Sequence, residues 1–538
     1  MAAGEGDRQR PRTGVRAVIL GLALGMLLHA MTATIVATAL PAIVSDLGGM
    51  SDLSWVVTAY LFASTVAVPL LGKASDLVGR RPLFLAAIVV FVAGSLICAA
   101  AGSMGQLIAG RVVQGAAGGG LMALAMATVG DVVSPRERGR HLGYIGAVFA
   151  VATLAGPLVG GAFVDYLSWR WVFYLNVPLG LAAFVVAHRA LRIPHRRRRP
   201  RIDYAGATLL TTGVLALLLV SEWGGRELAW TSPGMLALLA IATVCLLALI
   251  PVERRAAEPI IPLELFRGPV LGVAVALSFV LGAALYGTIV FLPTFLQAVV
   301  GTSATASGAA LAPLMATALV AMVVSGRLIS RWGRYKPFPI VGTAAATAGF
   351  VMLASAGPGV GVAPVAGATA LVGLGLGLTM HVVVMAVQNA VDPAHLGTAT
   401  AAPQFLRTLG GTVGLAGFGA VMSRRLTAWA AVHLPADALP AGVDLDEIAG
   451  DPAAIAALPA DVEALVRTGV ADALTAVFLL AVPLMALAVA GALLLRELPL
   501  RERATTAVAG PPPATGAASA PPGGSPPYPT DAEQERPR

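Results

Sequence analysis

The chain has 538 residues, of which 57% are hydrophobic and only 12% are charged. Soluble globular proteins are nearer a quarter charged, so this composition excludes a protein whose only solvent is water. The net charge of +8 does not indicate nucleic acid as a partner, because the basic residues stand in short loops between apolar blocks, as in membrane proteins.

The apolar residues come in blocks of about twenty, the length that crosses ~30 Å of hydrocarbon as a helix. The shorter alternating pattern of barrel strands is absent. We therefore predict an all-α polytopic membrane protein with fourteen transmembrane helices, at residues 16–41, 54–72, 83–101, 105–130, 141–164, 172–191, 205–221, 234–250, 270–296, 306–327, 338–356, 362–387, 400–422 and 471–495.

The loop charges predict how these helices are oriented. With the N-terminus inside, the inner loops carry most of the bases, including the run Arg196 to Arg199, and the outer loops carry mainly acids such as Asp46 and Glu222. This asymmetry is the positive-inside rule. The inner bases also suit anionic lipid headgroups. We expect a multi-pass protein of the bacterial inner membrane, the cell membrane, with both termini in the cytoplasm.

An internal repeat divides the chain. Residues 72–81 and 326–335 both begin with Gly and a base, and both have a second Gly seven residues later followed by Arg. Each segment joins the second and third helices of its half, which indicates parallel repeats about an axis along the membrane normal. The predicted parts are a cytoplasmic tail at 1–14, a six-helix bundle at 15–200, two inserted helices at 201–255, a second six-helix bundle at 256–500 with an outer loop at 423–470, and a disordered cytoplasmic tail at 501–538.

Six motifs resemble one known family, the major facilitator superfamily. Residues 72–81 match its cytoplasmic signature, and Leu107-x-x-x-Arg111-x-x-Gln114-Gly115 is similar to its fourth-helix signature. Four more resemble its drug exporters, three of them the fourteen-helix drug:proton antiporters in particular: GPLVGG at 156–161, and TIVATALP at 34–41, WVVTAY at 55–60 and WRWVFYLNVP at 169–178. The resemblance implies a secondary transporter whose two halves rock about a central site.

The first candidate element is a latch on the cytoplasmic side. Its glycines allow a tight turn between helix ends, and a carboxylate is favoured at a helix N-terminus. An acid at the inner end of the fourth helix is a plausible partner for the first of its two arginines. By resemblance this element holds the two halves together; the alternative is a positive-inside turn with no switching role. The latch residues are Gly72, Asp76, Gly79, Arg80, Arg81 and Asp131.

Arg111 and Gln114 stand one turn apart inside the predicted fourth helix. An intramembrane arginine is costly and should face a polar cavity or a partner. By resemblance Arg111 assists proton transfer. The alternative is a structural hub that hydrogen-bonds backbone carbonyls.

The fifth helix contains Gly156 and Pro157, which remove one backbone hydrogen bond and predict a bend. Gly160 and Gly161 predict close packing against a neighbouring helix. The family associates this element with export, through control of leakage at the outward gate. A kink that serves packing alone is the other interpretation.

The coupling residue is where the sequence departs from the resemblance. The fourteen-helix antiporters usually carry an aspartate in the first helix at the position of Thr32. His29 lies one turn earlier on the same face, and histidine can take up and release protons near neutral pH. We hypothesise that His29, helped by Arg111, couples transport to protons. The rival interpretation is weak coupling, facilitated export or a substrate other than a cation.

No nucleotide-binding loop, zinc motif or nucleophile elbow is present, so we expect no enzyme activity, catalytic residues, cofactor or metal. The two cysteines, Cys98 and Cys245, lie in apolar blocks and read as core residues. The expected partners are a small-molecule substrate, protons and the lipid bilayer, and we expect a monomer to function. The leading hypothesis is export of hydrophobic or amphipathic molecules such as drugs and antibiotics. Export of one metabolite or lipid, and a sensor or scaffold that does not transport, are the alternatives.

Overall fold

The computed structural model describes residues 12–48, 53–191, 203–224, 227–229, 231–260, 264, 268–302, 311–357, 359–434, 455 and 458–500. All of these belong to one compact unit. The predicted C-terminal tail, the run Arg196 to Arg199 and most of the predicted outer loop at 423–470 lie outside the described residues.

Fourteen long helical segments make up the described bundle. Thirteen are long and apolar enough to cross a membrane. The other, α5, has 32 residues and packs against α1 and α10. This confirms the all-helical fold. The segments are α1 Arg12–Leu47, α2 Leu53–Val78, α3 Arg80–Ala99, α4 Met104–Val132, α5 Pro135–Tyr166, α6 Trp171–Ala190, α7 Tyr204–Trp223, α8 Pro233–Arg255, α9 Leu271–Ala298, α10 Ala312–Trp332, α11 Pro337–Ala354, α12 Val362–Ala390, α13 Leu396–His433 and α14 Ala460–Leu494.

The helices pack mainly within two sets. In α1–α6 the main contacts join α2 and α3 to α4, and α1 to α5 and α6; in α9–α14 they join α9 to α13, and α12 to α10 and α11. One apolar cluster fills the second set, around Phe295, Phe350 and Phe478. A second cluster combines residues of α1–α5 with Val382 and Met385 of α12, so apolar packing is continuous between the sets.

The two inserted helices lie at the side of this arrangement. α7 and α8 pack against each other, and α7 also contacts α2 and α13. α8 presents an apolar face outward, where Leu236, Val244 and Leu247 are 55%, 64% and 61% exposed. An outward face of this kind suits lipid rather than water.

Several helices extend beyond their predicted ends. The predicted turn at 72–81 is instead largely helix, because α2 continues to Val78 and α3 begins at Arg80. The predicted loop at 423–470 is shorter, because α13 continues to His433 and α14 begins at Ala460. A hydropathy pattern locates the apolar part of a helix, whereas its polar extension depends on partners that the local sequence does not show.

The internal repeat has a structural counterpart. Gly79 follows α2 with φ of 104°, and Gly333 follows α10 with φ of 73°. L-residues rarely adopt such angles, so glycine is required at both turns. Below, the end of the bundle that contains Gly79 is called the latch end.

Candidate functional site

Asp76 caps a helix of the opposite half. One of its carboxylate oxygens accepts a hydrogen bond from the backbone N–H of Gly397 at 2.9 Å, and the other accepts from the N–H and hydroxyl of Thr398 at 2.9 and 3.0 Å. These donors belong to the second and third residues of α13, whose own preceding residue, His395, offers no side-chain cap. A carboxylate here also meets the positive end of the helix dipole. The predicted helix N-terminus for Asp76 is therefore that of α13.

Arg80 lies between two acids. Its Nη2 is 2.7 Å from Asp76 and its Nε is 2.8 Å from Asp131. It also donates to the Ser75 hydroxyl, and its side chain is only 6% exposed. The predicted Arg80–Asp131 pair is thus present. Arg81 is placed elsewhere, donating to the carbonyl of His188 at 3.0 Å within its own half.

A second tier of bonds joins the halves beside the latch. Arg138 of α5 is 1% exposed, and its Nη1 donates to the carbonyl of Gln388 in α12 at 3.1 Å. The Gln388 amide in turn donates to the carbonyl of Met126 in α4 at 2.9 Å. Arg138 was not among the residues predicted to be functional. Its position next to the inner end of the fourth helix, close to the latch acid Asp131, could have indicated a role.

Glycines let the two halves approach closely at this end. A Cβ on Gly72 would lie 2.6 Å from the Cβ of Ala401 in α13, and one on Gly326 would lie 2.2 Å from the backbone oxygen of Gly139 in α5. Both contacts cross between halves, and Gly72 and Gly326 are matching positions of the repeat. Gly72 therefore serves helix contact and not the predicted turn, because α2 is still helical there.

A buried polar network centres on Arg111, which is fully buried in α4. Its Nε donates to the carbonyl of Val56 at 2.8 Å and its Nη1 to Gln114 at 2.6 Å. Gln114 donates to Ser95 at 2.6 Å. Arg111 therefore makes the hydrogen bonds expected of a structural hub. Its Nη2 remains without an acceptor among the described residues.

His29 joins the same network through Tyr60. The hydroxyl of Tyr60 is 2.6 Å from His29 Nδ1, and the Arg111 guanidinium lies 4.1 Å above the centre of the Tyr60 ring. Gly118 makes room for the pair, because a Cβ there would lie 2.7 Å from His29 Nδ1. His29 and Arg111 therefore contact the same aromatic side chain, Tyr60, from two sides.

Thr32 occupies a separate arm of the network. Its hydroxyl donates to Asn176 at 3.1 Å, and the Asn176 amide donates to Ser95 at 3.2 Å. Thr32 is completely buried. The position that the resemblance assigns to an aspartate is thus satisfied by a neutral pair, and the ionisable groups stand on the His29 side.

The glycines of α5 contact α1. A Cβ on Gly156 would lie 2.2 Å from the Thr34 hydroxyl oxygen, and one on Gly160 would lie 2.3 Å from that of Thr38. Gly161 differs from the prediction of close packing, because no atom of the described residues lies within 4 Å of its Cβ position. The helix is continuous through Pro157, whose side chain is outside the described part of the structure.

A small cavity of about 80 Å³ lies between the halves beside the second tier of bonds. Five methionines contribute to its wall, together with His381 of α12 and Arg407 of α13. Arg407 was not among the residues predicted to be functional, although an arginine inside a predicted apolar helix is a signal of function. Drug-sized ligands occupy roughly 300–1,000 Å³, so a substrate would need a wider state. The methionines are Met26, Met122, Met126, Met322 and Met380.

Two sets of membrane-length helices that meet at the latch end beside a small cavity are typical of a polytopic transporter. The family follows from comparison of the sequence. Residues 22–415 match the Major Facilitator Superfamily, and the chain belongs to that family. It is a transporter and not an enzyme.

Related proteins include named multidrug transporters. The chain is 39% identical to an uncharacterised MFS-type transporter of Mycobacterium tuberculosis over 90% of this chain and 70% of the relative. It is 36% identical to the multidrug transporter protein MdtP of Bacillus subtilis, over 76% of this chain and 75% of MdtP. Multidrug resistance protein 3 of the same organism is 34% identical over 76% of this chain and 80% of the relative.

Solved structures share the fold. The human organic anion transporter MFSD10 superposes with a TM-score of 0.58 at 17% identity, covering 89% of this chain and all of MFSD10. The proton:xylose symporter XylE superposes with a TM-score of 0.57 at 14% identity, covering 91% of this chain and 98% of XylE.

Proposed function

We propose that the protein exports hydrophobic or amphipathic small molecules across the cell membrane by alternating access. The observation that carries this proposal is the methionine-lined cavity between two halves that meet at the latch end. Methionine side chains are flexible and polarisable, so they adapt to apolar molecules of different shapes. The multidrug names of MdtP and multidrug resistance protein 3 support this substrate class.

The latch end is the cytoplasmic end in this proposal, because the bases of the inner loops lie there. The conformation described here is then closed to the cytoplasm. Opening it requires the Asp76 cap, the Arg138 bonds and the glycine contact of Gly326 to separate together. Each of these contacts is formed in the closed state and broken in the open state. Their loss therefore contributes to the free-energy difference between the two states, which a ligand can shift. We propose that a monomer carries out this cycle, because each of these contacts lies within one chain.

Proton antiport is the proposed energy source, with His29 as the group that gains and loses the proton. Its bond to Tyr60 and the cation–π contact of Arg111 link its charge to α2 and α4. In this proposal the outward gate, where Gly156 and Gly160 of α5 pack on α1, stays sealed while the latch opens.

The test is transport in inside-out membrane vesicles with an imposed pH gradient and a panel of fluorescent apolar dyes. The expected result is gradient-dependent dye movement in vesicles with the protein and none in vesicles without it. Dye movement that is insensitive to the gradient would retain export and reject proton antiport. No movement of any dye would reject the broad substrate class and favour a single-metabolite exporter or a sensor.

Coupling at His29 has its own experiment. Substrate added to the purified protein in weakly buffered solution should release protons, and His29→Gln should remove that release. His188→Gln is the matched control, because His188 is exposed in the same half. Unchanged release in His29→Gln would reject His29 as the coupling group.

A further inference from the structure

Arg407 has more hydrogen-bond donors than partners. It lies in α13 at the cavity wall, and its Nη2 donates to Gln404 Oε1 at 2.8 Å. This is the one hydrogen bond of its guanidinium to the described residues, although arginine carries five N–H donors. The Nε2 of Gln404 is a further buried donor without a partner among those residues. Two side chains one turn apart thus offer donors and lack an acceptor.

The charges around the cavity have one sign. Its wall includes one cationic side chain, Arg407, together with the uncharged imidazole of His381, and contains no aspartate or glutamate among the residues described. Arg111 of the other half also has an Nη2 without a hydrogen-bond partner among the described residues. The acids nearest the latch, Asp76 and Asp131, are already engaged with Arg80.

Arg407 is half-buried in the bundle, and an arginine there without a counter-ion is unfavourable in the low dielectric of the membrane. The missing charge can be supplied by a ligand. A guanidinium presents its N–H groups as a planar fork that matches the two oxygens of a carboxylate. A cation would meet like charges at this site and would find no acid at Thr32, where the side chain is neutral.

We propose that the protein's substrates are amphipathic anions, and that Arg407 binds their carboxylate or an equivalent anionic group. The methionines contact the apolar body, and Gln404 and Arg407 contact the charged end. This inference rests on the proposed export function and narrows its substrate class.

The test uses three probes that share one pyrene body: pyrenebutanoate, the corresponding trimethylammonium and the uncharged alcohol. Purified full-length protein in liposomes is compared for binding and transport of each. The carboxylate should bind at least about tenfold more tightly than the ammonium, the size of one charge-assisted hydrogen bond. Arg407→Gln should remove this preference, so that the three probes bind this variant with similar affinity, and Arg407→Lys should keep part of it. Arg424→Gln is the matched control, because Arg424 lies exposed on the same helix.

The outcomes separate the inference from the function on which it rests. Movement of the alcohol without any charge preference retains export and rejects the anion site. A preference for the ammonium in the wild type, or an intact carboxylate preference in Arg407→Gln, also overturns the inference. If none of the three probes binds or moves, both proposals fall. If Arg407→Gln does not accumulate, the wild-type comparison of carboxylate with ammonium decides.

Discussion

Replacing Asp76 by asparagine should weaken the latch without removing the cap of α13. Asparagine caps helices about as well as aspartate, so the amide oxygen can still accept a hydrogen bond from Gly397 or Thr398. What is lost is the negative charge, which faces both the helix dipole and Arg80. Arg80 keeps Asp131 as a partner, so no isolated charge remains buried.

The size of the effect follows from these contacts. A carboxylate at a partly buried helix terminus contributes up to ~2 kcal/mol, and a hydrogen bond to a charged group contributes about 1.5–3 kcal/mol against less for a neutral one. A net loss of about 1–2 kcal/mol changes the ratio of two states by a factor of roughly 5–30. The population with separated halves at the latch end should rise by that factor.

Spin labels can measure this population. Arg140 of α5 and Arg331 of α10 are exposed and lie in opposite halves, so cysteines placed there in a variant without Cys98 and Cys245 report the separation by pulsed electron paramagnetic resonance. Glu137→Gln is the matched control, because it removes an exposed acid at the same end. Identical distance distributions in Asp76→Asn and the parent would refute the reasoning, since Asp76 would then interact equally in both states.

Three further results are expected. Gly326→Ala should hold the latch end apart in the same spin-label assay, because its Cβ would lie 2.2 Å from a backbone oxygen of α5, whereas Gly367→Ala, with open space around it, should not. Arg111→Lys should retain part of the transport and Arg111→Ala should abolish it while the protein still accumulates in the membrane; failure of Arg111→Ala to accumulate would make Arg111 purely structural. Pro440→Cys and Thr515→Cys should label oppositely with an impermeant thiol reagent in intact cells, and equal labelling would contradict the fourteen-helix topology.

Most of the fold could be predicted from the length of the apolar blocks in the sequence. The order and number of helices could be predicted because a membrane span has a nearly fixed length. The ends could not, since the last turns of α2 contain Lys73 and Asp76, whose partners Glu258 and α13 are far away in the sequence. Local polarity there resembles a loop although the segment is helical.

The residues of the candidate site could be predicted only in part from the sequence. Arg111 and His29 stand out because charged groups are rare in apolar blocks, and their connection through Tyr60 could not be seen because it depends on the packing of α1 against α2. Arg138 and Arg407 can be recognised in the sequence as arginines close to or inside apolar blocks. Their roles depend on tertiary contacts that the sequence does not show. Arg138 donates to a carbonyl of the opposite half, and Arg407 lines a cavity that has no acid among its described residues.

The positive wall of the cavity bears on the energetics of export. With the latch end in the cytoplasm and an inside-negative membrane potential, outward movement of one negative charge is favourable by ~2.3 kcal/mol per 100 mV. That energy alone sustains a concentration ratio of about fiftyfold for a monovalent anion. A cavity whose described wall carries Arg407 and no acid would thus favour cargo that the voltage itself expels, and such a pump can work where the pH gradient is small.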